Sequence, residues 1–467
     1  MMKPFTLLRN GPTRIAMCLI AGSLTCSFAQ ESDGIRIGAA GWMQYSVIGS
    51  SSDTGTAVGI ASNYQKNGFD GKGILSPGAQ ITLDADPSPR LHIAAGIGVG
   101  GGSNLAAGPT VKGGYAVYGM GAYVANANFT YQFQNTSASK ISLTGGLFPY
   151  DYNPDVKNLG LYLLRGPVYP GVLISGFETK HVLPVANLMG LQLHHQMGGF
   201  QEDLLLSSDL EFYPFFDLSP AYIASYQVHP TFRIGAGVNL YHLIPVDGDL
   251  TSGLHGAAPH KQWQYIDTTG GTPDTTDLGY NGTKVMANAS FDSKPLMGAS
   301  EWLGPEDLKI YGEVALIGLD NSEAYKKIYG DYMHRMPVTV GFNFPTHKQL
   351  DHLSLEVEWY GSPNDDNLNG YNTVGSSQPV TPYPTNWATA DGKIYTRART
   401  NTRDNWKWSL HGARTIQKHV LLSFQVANDH YRPGVFDGYA DSTPPHRESA
   451  LVTPNDWYFT TKLAYFF

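Results

Sequence analysis

Apolar and polar side chains alternate with a period of two through most of the chain, in segments of about ten residues. Between Tyr123 and Gln134, the odd positions hold apolar or aromatic residues and the even positions hold mostly Asn, Thr and Gln. Successive side chains of a β-strand point to opposite faces, so this pattern predicts strands with one apolar face. About sixteen such segments can be counted, and those near 171–182 and 187–198 are the least regular.

The last segment, 457–467, keeps the alternation and ends on an aromatic residue, Phe467. The termini of soluble domains generally fray, whereas a closed barrel pairs its last strand with its first. The segment resembles the C-terminal strand of bacterial outer-membrane barrels, in which the last residue is usually Phe. The alternative is a buried terminal strand of a soluble sandwich.

The connections between the predicted strands alternate between short and long. The short turns lie near 86–90, 135–140, 229–231, 345–351 and 414–418, and the long loops near 48–72, 101–120, 150–170, 244–281, 320–335, 362–403 and 431–456. Short turns at one end and long loops at the other are typical of outer-membrane barrels. Hydrocarbon offers the backbone no water, so only a helix or a closed sheet can cross it. The predicted fold is therefore all-β: one transmembrane antiparallel up-and-down barrel of about sixteen strands, over residues 30–467.

The N-terminal residues predict export. Three basic residues precede an apolar run at 15–20, and Ser27-Phe28-Ala29 fits a cleavage site with small residues. We therefore expect a signal peptide over residues 1–29, cleaved after Ala29, and a mature protein in the bacterial outer membrane. The alternative is a lipoprotein signal with Cys26 as the acylated residue.

Composition narrows the classes of function. Both cysteines, Cys18 and Cys26, lie in the predicted signal, so residues 30–467 can form neither a disulfide framework nor a cysteine-ligated metal site. Loss of the three basic residues of the signal changes the formal charge from -8 to -11, which argues against nucleic-acid binding. After the signal, no apolar run reaches about 18 residues, so no transmembrane helix is predicted. No cofactor and no metal are expected.

A barrel of about sixteen strands is too wide for side chains to fill, so water occupies its lumen. This predicts passive diffusion of small hydrophilic solutes. Similarity to porins points the same way, but it covers only the terminal strand, the strand count and the rhythm of the loops. It also implies a homo-trimer surrounded by outer-membrane lipid. The alternative is a structural or adhesive barrel whose outer loops bind a ligand, and no enzymatic activity is expected.

The third long loop is predicted to narrow the pore. In porins the third outer loop folds into the barrel, and the loop after Pro149 has that position in the order of loops. The alternative is a loop that packs over the rim or against a neighbouring subunit. A short helix is expected over Val156–Arg165, and a row of glycines at 96, 98 and 100 is expected to make room for the inserted backbone. The predicted constriction residues are Asp151, Asp155, Lys157 and Arg165.

Charged and polar residues at the lumen positions of the strands are mixed in sign, so no ion preference is predicted. The predicted pore-lining residues are Arg36, His92, Lys140, Arg233, Glu313, Glu356, Glu358 and Lys407. Aromatic residues near strand ends, among them Trp42 and Tyr123, are expected in the girdles at the membrane interfaces.

Overall fold

The computed structural model covers the whole chain, and its placement is described for residues 34–50, 73–106, 115–158, 187–208, 216–241, 243–244, 261–267, 274–279, 282–298, 301–316, 319, 331–361, 386–388, 394–396, 406–428, 455 and 457–467. The predicted signal peptide, 1–29, lies outside these residues. Within them, no helix has both the length and the apolar character needed to cross a membrane.

The described secondary structure consists of strands and two short 3-10 helices. The strands are β1 (Ile35–Ser50), β2 (Gly73–Ser88), β3 (Leu91–Ala106), β4 (Tyr115–Asn135), β5 (Ser139–Pro149), β6 (Asn187–Met197), β7 (Phe200–Ser208), β8 (Leu218–His229), β9 (Phe232–Tyr241), β10 (Lys261–Asp267), β11 (Asp274–Gly279), β12 (Gly282–Asp292), β13 (Lys309–Leu316), β14 (Val338–Asn343), β15 (His352–Trp359), β16 (Asn386–Ala388), β17 (Ile394–Thr396), β18 (Trp406–Ile416), β19 (Val420–Ala427) and β20 (Trp457–Phe466). The helices are η1 (Lys294–Leu296) and η2 (Tyr332–Arg335).

Sixteen of these strands form one closed antiparallel barrel, in the order β1 to β9, β12 to β15 and β18 to β20. The first and last strands pair with each other in a register that runs from Ala40 opposite Phe466 to Ile48 opposite Tyr458, and an irregularity then shifts the pairing to Ser50 opposite Trp457. Beyond the first of these pairs, the backbone N–H of Phe467 donates to the carbonyl of Ala39 at 2.8 Å. Closure gives every barrel strand two neighbours and removes the open edge that a sheet would otherwise present. The predicted all-β barrel of sixteen strands is confirmed.

Two features of the strand map differ from the sequence prediction. The hairpins β10–β11 and β16–β17 form separate two-stranded sheets within segments predicted as long loops. Strand β7 was not predicted, because its acidic pair at 202–203 and the leucines at 204–206 hide the period of two. The strand expected near 171–182 lies outside the described residues.

The two faces of the barrel wall differ as the alternation predicts. Outward side chains are apolar and exposed, as in Ile81 (58%), Ile97 (66%) and Leu204 (53%). Leu205, the next residue after Leu204, points into the lumen and is 1% exposed. The apolar residues therefore form a band around the outside of the barrel.

Trp42 does not lie in the interfacial girdle where it was expected. It shares the lumen face of β1 with Ser46, is 5% exposed, and packs against Ala464 of β20. The ammonium of Lys462 lies 5.5 Å from the centre of the indole ring, within the range of a cation–π contact. The alternation along β1 places Trp42 on the inward face. The girdle assignment was wrong because it was based only on the aromatic side chain.

The lumen glycines of β3 do not make room for the inserted loop, contrary to the prediction. A Cβ atom at Gly98 would overlap the ring of Tyr123 on β4, and one at Gly96 would overlap the amide of Asn126. Tyr123 was itself expected in the girdle. The space above these glycines is thus occupied by side chains of the neighbouring strand, and we correct the assignment of this space to the inserted loop.

We expect Gly98→Ala to destabilise the barrel by about 1–3 kcal/mol, because overpacking forces neighbouring groups out of their preferred positions. Thermal unfolding of the purified barrel, followed by its electrophoretic mobility, measures the change. The control is the same substitution in a Tyr123→Ala background, where the ring is absent and the cost should fall towards zero. Equal destabilisation in both backgrounds would contradict the assignment of this space to Tyr123.

Candidate functional site: a loop segment that crosses the lumen

Residues Tyr150–Asn158, which we call the crossing segment, follow β5 and run through the inside of the barrel. In the ring of sixteen strands β5 holds the fifth place and β15 the thirteenth, so the two lie opposite each other. The crossing segment leaves β5 at Pro149, and its last two residues bond to Glu356 on β15. It therefore spans the lumen, which confirms the prediction that the third long loop folds inward.

The first part of the crossing segment is held by an apolar cluster. Tyr150 and Tyr152 are 7% and 3% exposed and pack among inward residues of β5 to β8, β12 and β13. The other members of the cluster are Phe148, Leu188, Leu205, Ala221, Ile223, Met286 and Ala315. The hydroxyl of Tyr150 donates to Asp203 on β7 at 3.2 Å. This side of the lumen is thus packed like a protein core rather than lined for water.

The middle of the crossing segment carries a paired carboxylate. Oδ1 of Asp155 lies 3.1 Å from the ammonium of Lys309 on β13, and Oδ2 lies 3.8 Å from the guanidinium of Arg233 on β9. Asn153 shapes the backbone here, because its side-chain oxygen accepts from the N–H of Asp155 at 3.2 Å. Lys309 and Arg233 are the first and second residues of their strands, so the segment reaches the end of the barrel that carries the short turns.

The end of the crossing segment is fixed by Glu356, which is 0% exposed. Its carboxylate accepts from the backbone N–H of Lys157 at 2.7 Å and from that of Asn158 at 2.9 Å. The hydroxyl of Tyr311 donates to the same carboxylate at 2.8 Å. The side-chain amide of Asn158 also donates to Ser409 on β18. Three donors, two of them from the backbone of the crossing segment, converge on this one carboxyl group, so Glu356 is the main anchor on the far wall.

A chain of alternating charges joins the crossing segment to the turn side of the barrel. Lys309 bonds Asp155 on one side and Glu306 at 3.0 Å on the other, and Glu306 in turn lies 2.9 Å from the ammonium of Lys157. Glu306 belongs to the connection between β12 and β13. The outer loop and a turn from the opposite end therefore meet inside the barrel.

Asp155 and Glu306, the two acids in this series of alternating charges, are stabilised in their ionised form. Burial acts to raise the pKa of Asp155, but the Ser290 hydroxyl and the charge of Lys309 outweigh it and lower the pKa below its ordinary value of 3.8. Burial likewise acts to raise the pKa of Glu306. The charges of Lys157 and Lys309 prevail, and the pKa of Glu306 lies below its ordinary value of 4.5.

The four predicted constriction residues have different outcomes. Asp155 and Lys157 lie in the lumen with the contacts given above, and Asp151 is exposed at the start of the crossing segment. Arg165 lies outside the described residues. The helix expected over Val156–Arg165 is not formed at 156–158, where the backbone is irregular, and its remaining residues are outside the described part.

Five of the predicted pore-lining residues lie near the crossing segment. Glu356 bonds it directly and Arg233 faces Asp155. The other three are Glu313, Glu358 and Lys407, which are 3%, 1% and 1% exposed. These three residues line the lumen wall but are almost fully buried, so they have little contact with bulk water.

The remaining three predicted pore-lining residues lie at the turn ends of their strands. Arg36 pairs with Asp86 at 2.8 Å, and His92 contacts Asp86 at 2.9 Å and Asp84 at 3.5 Å. These four side chains are 37–57% exposed. Lys140, the second residue of β5, is also exposed. The mouth of the barrel on the side of β1 to β3 is therefore wet and charged.

Sequence reasoning missed Glu306, Asn158 and Ser409. One signal was available for Glu306: the connection at 293–308 is sixteen residues long, whereas the other connections at that end have two to eight residues. A long connection at the end of short turns could have marked a segment with its own role. Asn158 and Ser409 carried no comparable signal.

Comparison with known proteins gives structural likeness only. No family model matches the chain, and no curated protein matches it. A triple mutant of Rhodopseudomonas blastica porin is 8% identical over 93% of this chain and 100% of its own, with a TM-score of 0.39. Another mutant of the same porin has a TM-score of 0.40 at 8% identity and the same coverage, and an engineered protein described for its asymmetric conductivity has a TM-score of 0.38 at 8% identity, also with that coverage. This likeness carries no argument about function, and the barrel assignment rests on the strand pairing.

We expect Glu356→Gln to loosen the end of the crossing segment, because the neutral amide accepts more weakly from the two backbone N–H groups. The reporter is Val156→Cys, a buried position (2% exposed) in a chain whose only other cysteines lie in the predicted signal. Labelling by a water-soluble maleimide should become about tenfold faster, the effect of losing about 1.4 kcal/mol. Glu358→Gln is the control, since it removes a carboxylate from the same strand face. Equal labelling rates in the two backgrounds would rule out Glu356 as the anchor.

The lowered pKa values of Asp155 and Glu306 predict how attachment depends on pH. A carboxylate with a lowered pKa stabilises the attached state above its ordinary pKa, and this contribution is lost as the pH falls through the lowered value. Hydrogen–deuterium exchange of residues 150–158, corrected for the intrinsic rate, should be constant from pH 7 to about 5 and faster below about 4. Loosening that already begins between pH 6 and 7 would contradict the assignment of the attachment to these two carboxylates.

Proposed function

We propose that the protein is an outer-membrane porin through which small hydrophilic solutes diffuse passively, and that the crossing segment forms its constriction. The observation that carries this proposal is a polypeptide segment laid across the lumen of a closed sixteen-strand barrel and bonded to the opposite wall. The closed wall and the segment across the lumen both support this proposal.

The proposed location follows from the two faces of the wall. Exposed apolar side chains form a band around the outside, and each barrel strand has its backbone groups paired with two neighbours. These are the conditions for a sheet to sit in hydrocarbon. We infer insertion in a bacterial outer membrane after cleavage near Ala29, with the short turns on the periplasmic side, and assembly as a homo-trimer by analogy with porins.

The constriction would act on solutes through position more than through net charge. Asp155 and Lys157 are each paired with an opposite charge, Asp155 with Lys309 and Lys157 with Glu306. Paired charges cancel much of each other's field, so the crossing segment would select mainly by size. Arg165 and Asp151 remain proposed contributors to the same narrowing.

A second candidate function is a ligand-binding barrel with a closed lumen. It is favoured by burial on both sides of the lumen. Leu188 on β6 and Leu205 on β7 are 0% and 1% exposed, and on the opposite side of the ring Lys407 on β18 and Tyr458 on β20 are 1% and 2% exposed. A barrel of this kind would bind through its outer loops and carry no current.

Conductance across a planar bilayer distinguishes the two functions. The reconstituted barrel should show discrete open channels, and deletion of residues 152–166 should raise the conductance of a single channel severalfold, because the polypeptide across the lumen is removed. The control deletes the same number of residues from the first long connection, at 55–69, and should leave conductance near that of the intact protein.

The proposal fails if the intact barrel inserts but carries no current. A barrel that conducts equally before and after deletion of 152–166 would keep the channel and reject the crossing segment as its constriction.

A further inference from the structure

The outward face of β6, β7 and β8 carries a polar network within the apolar band. Glu202 accepts a hydrogen bond from the hydroxyl of Tyr222 at 2.6 Å, and its other oxygen lies 2.9 Å from Nδ1 of His195. His195 and Glu202 are directly paired across β6 and β7. Their apolar neighbours on the same face are exposed by 39–57%, and they include Leu193, Met197, Leu204 and Tyr226. The network therefore faces away from the lumen, towards whatever surrounds the barrel.

The network lies close to the turn end of the barrel. Phe200, the first residue of β7, pairs with Tyr226 of β8, and Glu202 is the next outward position along β7. Tyr222 lies on the other side of Glu202, two outward positions along β8 from Tyr226. Aromatic rings of this kind mark the level of the lipid head groups in membrane barrels. Ionisable residues on a membrane-facing surface are rare, and they indicate a functional site with a specific partner.

The network has bonding capacity left over. An ionised carboxylate only accepts, and each oxygen can accept about two hydrogen bonds, so the two described partners of Glu202 use about half of its capacity. Because Glu202 cannot donate, Nδ1 of His195 is the donor, which leaves Nε2 for a further partner. The side chains of Glu202 and His195 are each 29% exposed, so both can be reached from outside. A ligand with a primary ammonium group, which carries three N–H donors, matches this arrangement of acceptors.

We propose that Glu202, His195 and Tyr222 form a binding site for the phosphoethanolamine head group of a membrane phospholipid. Its primary ammonium donates to the carboxylate of Glu202 between the rings of Tyr222 and Tyr226, where a cation is also favoured by the aromatic faces. Nε2 of His195 accepts a second N–H of the same ammonium, because Nδ1 carries the proton that is donated to Glu202. Phosphoglycerol lacks the ammonium, and the trimethylammonium of phosphocholine has no N–H to donate. This inference rests on the proposed location of the barrel in a membrane.

Native mass spectrometry of the purified barrel tests the site. The protein is exposed to equal amounts of phosphatidylethanolamine, phosphatidylglycerol and phosphatidylcholine with identical acyl chains, and the retained lipid is counted. The wild-type barrel should prefer phosphatidylethanolamine by about tenfold, the effect of one charge-assisted hydrogen-bonded pair. Glu202→Gln and His195→Gln should abolish the preference. Asp203→Asn, which removes the neighbouring carboxylate from the lumen face of the same strand, should leave it intact.

Three results would overturn the proposal: equal retention of the three lipids by the wild-type barrel, an unchanged preference in Glu202→Gln, or disulfide-linked copies of Glu202→Cys in native membranes. The last result would show that a second copy of the chain covers this face. Conductance measured on the same samples reports on the proposed channel separately. A barrel that carries no current but keeps its lipid preference would remove the channel and leave the lipid site standing.

Discussion

Pairing between the first and last barrel strands is the interaction on which the rest of the structure depends. An open sheet of this length would present unpaired backbone groups at both edges and would be free to twist and change its curvature. Once β1 and β20 are joined, opposite strands are held at a fixed separation. Only then can a segment that leaves β5 find its partner on β15. The crossing segment is thus a consequence of closure, and its bonds to Glu356 add a brace across the ring.

Two kinds of force hold the crossing segment, and their order along it has a physical reason. The tyrosines near β5 bury their rings against apolar residues of the adjacent wall, which requires no exact partner. Farther across the lumen, the segment loses that wall and depends on directional bonds instead. Buried polar groups are stable only when their bonding capacity is used: Asp155 is paired with Lys309, and Glu356 accepts from two backbone N–H groups and from the hydroxyl of Tyr311.

The period of two in the sequence was enough to predict the barrel and the inward face of most strands. The inward path of the third loop was predicted from the resemblance to porins, in which the loop at that position folds into the barrel. The alternation could not predict which lumen residue meets the loop, because parity gives the face of a strand but neither the height nor the position around the ring. Glu356 and Glu358 have the same parity and nearly the same burial, yet the bonds to the crossing segment come from Glu356. The expectation that polar residues face the lumen and apolar residues face outward fails at β7. There Leu205 faces the lumen beneath the loop and Glu202 faces outward. The deviations therefore lie at the apolar cluster under the crossing segment and at the polar network on the outward face.

The distribution of charge inside the barrel limits where a solute could be selected by its charge. Around the crossing segment, acids and bases alternate at hydrogen-bonding distance, so each field is cancelled within a few ångströms. At the turn-side mouth, Arg36, His92, Asp84 and Asp86 are also near one another, but they are 37–57% exposed and their contacts compete with water. Water weakens such pairs and leaves their charges available to a passing ion. In the proposed channel, discrimination by size would therefore arise at the crossing segment and discrimination by charge at the mouth, so that the two would be separated along the axis of the barrel.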